Sequence, residues 1–182
     1  LRGLLPILLL STCLSAGAAP PSSTPALDDL AELSARRASL ADAVAASKRA
    51  SGKPVEDAAR ESEQLASLSV QARALGVDPA VGRDFFRAQI EANKLVQYRL
   101  LADAAGADGA GTAPDLSGIR AELDGINRDM LRLLPRALSA AHGSRCRTDV
   151  AAAIGRVGAH RHLDDLHRTA LARAFGDFCR GR

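Results

Sequence analysis

The chain has 182 residues, 47% of them hydrophobic, with aromatics at only 3% and no Trp. That is long enough for one domain with a real core, and the abundance of Ala and Leu over β-branched and aromatic residues predicts an all-α fold. Lys and Arg exceed Asp and Glu by only 24 to 21, and the charges are interspersed, so a nucleic-acid-binding surface is not indicated.

At the N-terminus, Leu4 to Leu10 is an apolar run behind a lone Arg2, followed by Ser11-Thr12-Cys13 and the small residues Ala16 to Ala19. This is the shape of a secretory signal peptide over residues 1–19. Pro6 interrupts the run, which is short of the ~20 residues a bilayer span needs, so no stable membrane association is expected after cleavage. Leu10-Ser11-Thr12-Cys13 also resembles a lipoprotein cleavage site, with Thr before Cys a poor fit. Residues 20–25 read as a Pro/Ser/Thr linker and 26–182 as the folded domain. Cys13 leaves with the leader, so Cys146 and Cys179 remain. In an oxidising periplasmic or extracellular setting, two cysteines read as one disulfide. His160, His162 and His167 share one stretch without a metal-ligand spacing, and Cys179 has no Cys or His beside it at such a spacing. No metal and no cofactor is expected.

Along the mature chain, Pro25 to Ser51 carries Leu30, Leu33, Leu40, Ala41 and Val44 at a helical period, with Arg37 and Lys48 on the same stripe. Gly52-Lys53-Pro54 stops that helix and starts a second one running to Leu75, where Arg60, Gln64 and Leu68 stack on one face. Gly76-Val77 breaks it. Asp78 and Pro79 are the N-cap and first residue of a third helix, to Ala104, with Phe86, Ile90, Asn93 and Gln97 on one stripe. Ala105 to Pro114 reads as a loop and Asp115 as the cap of a fourth helix, Leu116 to Ala141, with Leu123, Ile126, Met130 and Leu134 inward. Shorter helices follow at Arg147–Ala159 and Leu163–Arg180, giving a single domain of about six helices.

Arg37, Lys48, Arg60, Asn93 and Gln97 are separated by 11, 12, 33 and 4 residues. Each stands where a helical period calls for an apolar residue. Arg37 and Lys48 share a face about 16 Å apart along the axis. Burying cations without partners is costly, so convergent donors of this kind predict a pocket for a small, multiply negative ligand. No Ser, Cys or His nucleophile arrangement and no Gly-rich phosphate loop accompanies them. Donors without a nucleophile suit chemistry driven by shape and electrostatics.

The segment Arg37…Lys48…Pro54-Val55-Glu56-Asp57…Arg60-Glu61…Asp78-Pro79…Gln89-Ile90-Glu91-Ala92-Asn93-Lys94…Gln97 resembles the all-helical (type II) chorismate mutases. With the leader, the extra C-terminal helices and the cysteine pair, it resembles their secreted, gamma subclass. The resemblance implies the conversion of chorismate to prephenate by a Claisen rearrangement without a cofactor. It implies that Lys48 and Gln97 donate to the ether oxygen and that Arg37 and Arg60 hold carboxylates. Asn93 adds a polar contact, Asp57 and Glu61 lie near the substrate hydroxyl, and Gln64 lines the pocket. Short intracellular relatives borrow an N-terminal arginine from the partner chain. Here no Arg precedes Arg36 near the mature N-terminus, and Arg120 resembles the same-chain substitute, so a homodimer with complete sites in each chain is expected. Arg36 competes with Arg37 for register, but only Arg37 keeps the 11-residue step to Lys48. Two other readings stay open: a non-catalytic periplasmic protein that binds an anionic metabolite, and a fold whose cations are tied up by Asp57, Glu61 and Glu91.

Overall fold

A computed structural model describes residues 25–105, 114, 116–141 and 143–180. The predicted leader, most of the linker, the body of the 105–114 loop and the Asp115 cap lie outside the described residues. Among those residues the secondary structure is helical: α1 Pro25–Ser39, α2 Ala41–Ser51, α3 Ala58–Ala74, α4 Pro79–Asp103, α5 Leu116–Ala140, a 3-10 turn at Gly143–Arg145, α6 Cys146–His160 and α7 Asp165–Ala174. No helix among them is long and apolar enough to cross a membrane.

The break between α1 and α2 at Leu40 is shallow, because Leu40 keeps helical angles and Val44 N still donates to Leu40 O at 3.3 Å. The expected single helix over Pro25–Ser51 is therefore a bent one, and counting it once gives the six-helix bundle. Ser34 and Ser39 supply a reason for the bend: their hydroxyls donate to the carbonyls four residues back, at 2.9 and 3.1 Å, a pattern that bends helices. The stripe from Arg37 to Lys48 survives it.

Two boundaries differ from expectation. The second predicted helix starts at Ala58 rather than after Pro54, because Asp57 caps it by accepting from Arg60 N at 3.2 Å. Residues 53–57 form a non-helical strap whose Val55 is buried. The last helix ends at Ala174 rather than Arg180, and turns follow. Those turns bring Phe175 and Phe178 onto Phe85, with ring centroids 6.3 and 6.2 Å away, and Phe85 meets Phe86 edge-on at 5.1 Å. All four phenylalanines of the chain thus form one cluster. Beside it the predicted Cys146–Cys179 disulfide is present, with the Cα atoms 5.8 Å apart, and it joins the start of α6 to the segment after α7.

The third helix matches its prediction. Asp78 accepts from Ala80 N and Val81 N, Pro79 opens the helix and Ala104 ends it. α4 packs against α2, α3 and α7, while α1 lies on α5 and α6. Leu27, Leu30, Phe86, Val96, Met130, Leu134 and Leu171 are fully buried between them. His167 ties α7 to α2, its ring nitrogens 2.8 Å from Asp164 and 3.1 Å from Asp42. Burial alone would lower its pKa, but the two carboxylates outweigh it and hold the imidazole above its ordinary value.

α3 and α4 meet closely at Gly82, where an added Cβ would sit 2.6 Å from the buried Ala72 Cβ. Neither methyl can rotate away. Gly82→Ala should destabilise the fold by about 1–3 kcal/mol through overpacking. Thermal unfolding checks this, and the paired Ala72→Gly change should recover most of the loss.

Candidate active site

The polar positions of the inward stripes converge. A cleft of about 600 Å3 is lined by Arg37, Lys48, Asp57, Arg60, Glu61, Gln64, Asn93, Gln97 and Arg120, which are all of the predicted substrate-binding residues. α1, α2, α3, α4 and α5 contribute them, with Asp57 standing at the strap's end. Leu116, Ile119 and Leu123 of α5 and Ile90 of α4 supply apolar wall.

Arg37 is the most deeply set cation, at 6% exposure. Its Nη1 donates to Gln89 O at 2.7 Å and its Nε to Asn127 Oδ1 at 3.3 Å. No carboxylate among the described residues pairs with it, and burial pulls its pKa down to about 10. Arg36, the competitor in register, instead points outward to Glu122 at 3.2 Å. Lys48 donates to Val55 O at 2.7 Å, so the strap holds the ammonium in place. Burial pushes its pKa below the ordinary lysine value, and the nearby Asp57, Glu61 and Glu56 carboxylates offset that only partly.

Asn93 and Gln97, one turn apart on α4, form a directed chain. Asn93 Nδ2 donates to Arg37 O at 3.1 Å, and Gln97 Nε2 donates to Asn93 Oδ1 at 2.6 Å. A backbone carbonyl can only accept, so it fixes the orientation of both amides. Asn93 therefore orients Gln97, a role its predicted polar contact with substrate did not include. Gln97 Oε1 is buried without a partner among the described residues. One amide proton of Gln97 is also free of Asn93, because the group carries two.

Arg60 and Arg120 are exposed at the rim, and Gln64 is half-buried. Among the described residues none of Arg37, Lys48, Arg60 and Arg120 forms an ion pair. Glu61 and Glu91 pair with Lys94, a further cation that also lines the cleft, and so leave the other four without an ion pair. Asp57 and Glu61 serve the helix end as well as the cleft: Asp57 caps α3, and Asp57 N donates to Glu61 Oε1 at 3.4 Å.

Two supporting residues escaped the sequence reading. Asn127, buried at 4%, stands four residues after Leu123 on the inward stripe of α5, the same polar-in-apolar signal that marked Asn93. Lys94 lies beside the stripe rather than on it, and no periodicity marks it. Arg60, Gln64 and Asp124 also border an adjoining groove of about 590 Å3 that reaches Gln71 and Arg128.

The family pattern "Chorismate mutase type II" matches residues 27–98, a span that holds every predicted site residue except Arg120. The secreted chorismate mutase of Mycolicibacterium smegmatis is 36% identical over 83% of this chain and 84% of that protein. This chain belongs to the secreted, all-helical chorismate mutases. The secreted chorismate mutase of Mycobacterium tuberculosis is 32% identical over 86% of this chain and 79% of its own length. The crystal structure of the chorismate mutase from Burkholderia phymatum superposes with a TM-score of 0.80 at 34% identity, covering 86% of this chain and 97% of that one.

Proposed function

We propose that this exported chorismate mutase converts chorismate to prephenate in the cleft between α1, α2, α3, α4 and α5. One observation carries the assignment of the site: four cations that form no ion pair among the described residues meet two aligned amides around a single cleft. The reaction is unimolecular. The ether C–O bond breaks as a C–C bond forms, and partial negative charge gathers on the ether oxygen. The substrate carries two carboxylates.

Arg37 is held from behind by Gln89 and Asn127, and with Arg60 it grips carboxylates in the folded, reactive conformer. Lys48, steadied by Val55 O, and the second N–H of Gln97 donate to the ether oxygen. Their contribution grows with the charge, so it lowers the barrier rather than merely binding substrate. Asp57 and Glu61 take the substrate hydroxyl, and Gln64 completes the wall. No group has to gain or lose a proton.

Prephenate formation by the purified mature protein tests the reading, and its absence alongside ligand-induced stabilisation would favour a non-catalytic anion-binding protein. Arg120 lines the cleft of its own chain, which supports a homodimer whose protomers each hold a complete site. Arg37→Ala and Arg120→Ala should each be nearly inactive, and co-refolding the two should restore nothing. Substantial recovery in the mixture would put Arg120 across the interface.

A further inference from the structure

Lys94 follows Asn93 on α4 and takes no part in the chemistry assigned above. Its side chain is only 11% exposed, and its Nζ lies 2.8 Å from Glu56, 3.2 Å from Glu61 and 2.8 Å from Glu91. The three carboxylates come from the strap, α3 and α4. Burial alone would lower the Lys94 pKa, but the bonds to Glu56, Glu91 and Glu61 outweigh it and hold the pKa well above the ordinary lysine value. Glu56 also accepts from the Tyr98 hydroxyl at 2.9 Å, which anchors the strap a second time on α4.

The consequences reach the cleft by two routes. The strap that Glu56 fastens carries the Val55 carbonyl that holds Lys48, so a loosened strap releases a donor to the reacting oxygen. The second route is charge. One ammonium among three carboxylates leaves two negative charges beside a cleft that takes a dianion, and removing the ammonium leaves three. Besides the four members, the charged or titratable groups around the cluster include, among the described residues, Tyr98 on α4, Asp57 at the strap's end, Arg60 on α3 and Lys48 on α2.

We propose that Lys94 is a positioning residue for the rearrangement, fastening the strap and α3 to α4 and screening their carboxylates from the dianionic substrate. This rests on the reading of the cleft as the chorismate site. In Lys94→Met, kcat/KM at about pH 7.5 should fall about 10–100-fold, with the larger share in KM. Without the ammonium Glu56 loses the bond that holds its carboxyl below the ordinary value, so acidification to about pH 5 should relieve part of the negative charge and narrow the deficit by about threefold. A purely structural strut predicts the same deficit at both pH values. That result, or a folded Lys94→Met within about twofold of wild type at pH 7.5, overturns the proposal.

Should Lys94→Met fail to fold, Glu91→Gln reads the charge route alone. Removing one negative charge while leaving the strap tied should lower KM, and an unchanged or raised KM overturns that route. Wild-type inactivity on chorismate would instead sink the assignment of the cleft. The tie itself is read independently, because the melting temperature of Lys94→Met should drop whatever the substrate.

Discussion

Arg37→Met should lose almost all activity while melting close to the wild-type temperature. The guanidinium is buried with no counter-ion among the described residues, and its pKa of about 10, well below the ordinary guanidinium value, means that folding works against its charge. That penalty is fully present below about pH 10 and disappears as pH rises toward the unfolded value, amounting to about 3 kcal/mol at neutral pH. Met fills most of the same volume and carries no charge, so the penalty vanishes. Against this gain stand two abandoned acceptors. Gln89 O lies inside α4, where the helical ladder already supplies a donor, so its loss is small. Asn127 Oδ1 loses the one donor it has among the described residues, at a cost of about 1–3 kcal/mol. The two effects nearly cancel, and the melting temperature should move by only a few degrees, at about 2–4 °C per kcal/mol.

Catalysis has no such compensation. Without Arg37 a substrate carboxylate loses its best-fixed partner, and kcat/KM should fall by about 10²–10³-fold or more. Activity within about tenfold of wild type would remove Arg37 from the site. A drop of more than about 10 °C would make it a structural strut instead. The expected pairing, a dead enzyme with a stable fold, is the signature of a site that sacrifices stability for function.

What the sequence made legible follows from where its information is local. Arg37, Lys48, Asn93 and Gln97 could be placed because each interrupts an apolar helical stripe, and a period of 3.6 turns that interruption into a direction. Asp78-Pro79 marked the start of α4 because capping involves neighbours only. Lys94 was invisible for the opposite reason. Its partner Glu56 is 38 residues away, and nothing in the helical period singles out a cation beside the stripe. The strap was misread as helix because Pro54 and the acids after it are also good helix-starting residues, and the capture of Val55 O by Lys48 is a tertiary event. The end of α7 depended on where Phe175, Phe178 and Cys179 had to go, which only the packed α4 decides. Asn127 alone was recoverable from pattern.

Gln97→Glu should convert a pH-independent enzyme into a pH-dependent one. In the wild type the cleft's donors are amides and cations, so the rate should vary little between about pH 5 and 8. One N–H of Gln97 goes to Asn93 Oδ1, and the other is free for the ether oxygen. Asn93 cannot turn to help a carboxylate, since its own N–H is engaged by Arg37 O. An ionised Glu at this position would therefore face Asn93 Oδ1 with no proton to give, and it would repel the oxygen as negative charge develops there. Near neutral pH the loss should be about 10²–10³-fold. Protonation restores a single O–H, which Asn93 Oδ1 and the ether oxygen must share, so recovery on acidification should be real but incomplete. Burial at 4% exposure pushes the new carboxyl's pKa up, and Lys48 in the same cleft pulls it down. Both leave the direction unchanged: kcat/KM rises as pH falls. A Gln97→Glu enzyme with wild-type activity and a flat profile would mean that Gln97 does not touch the reacting ether.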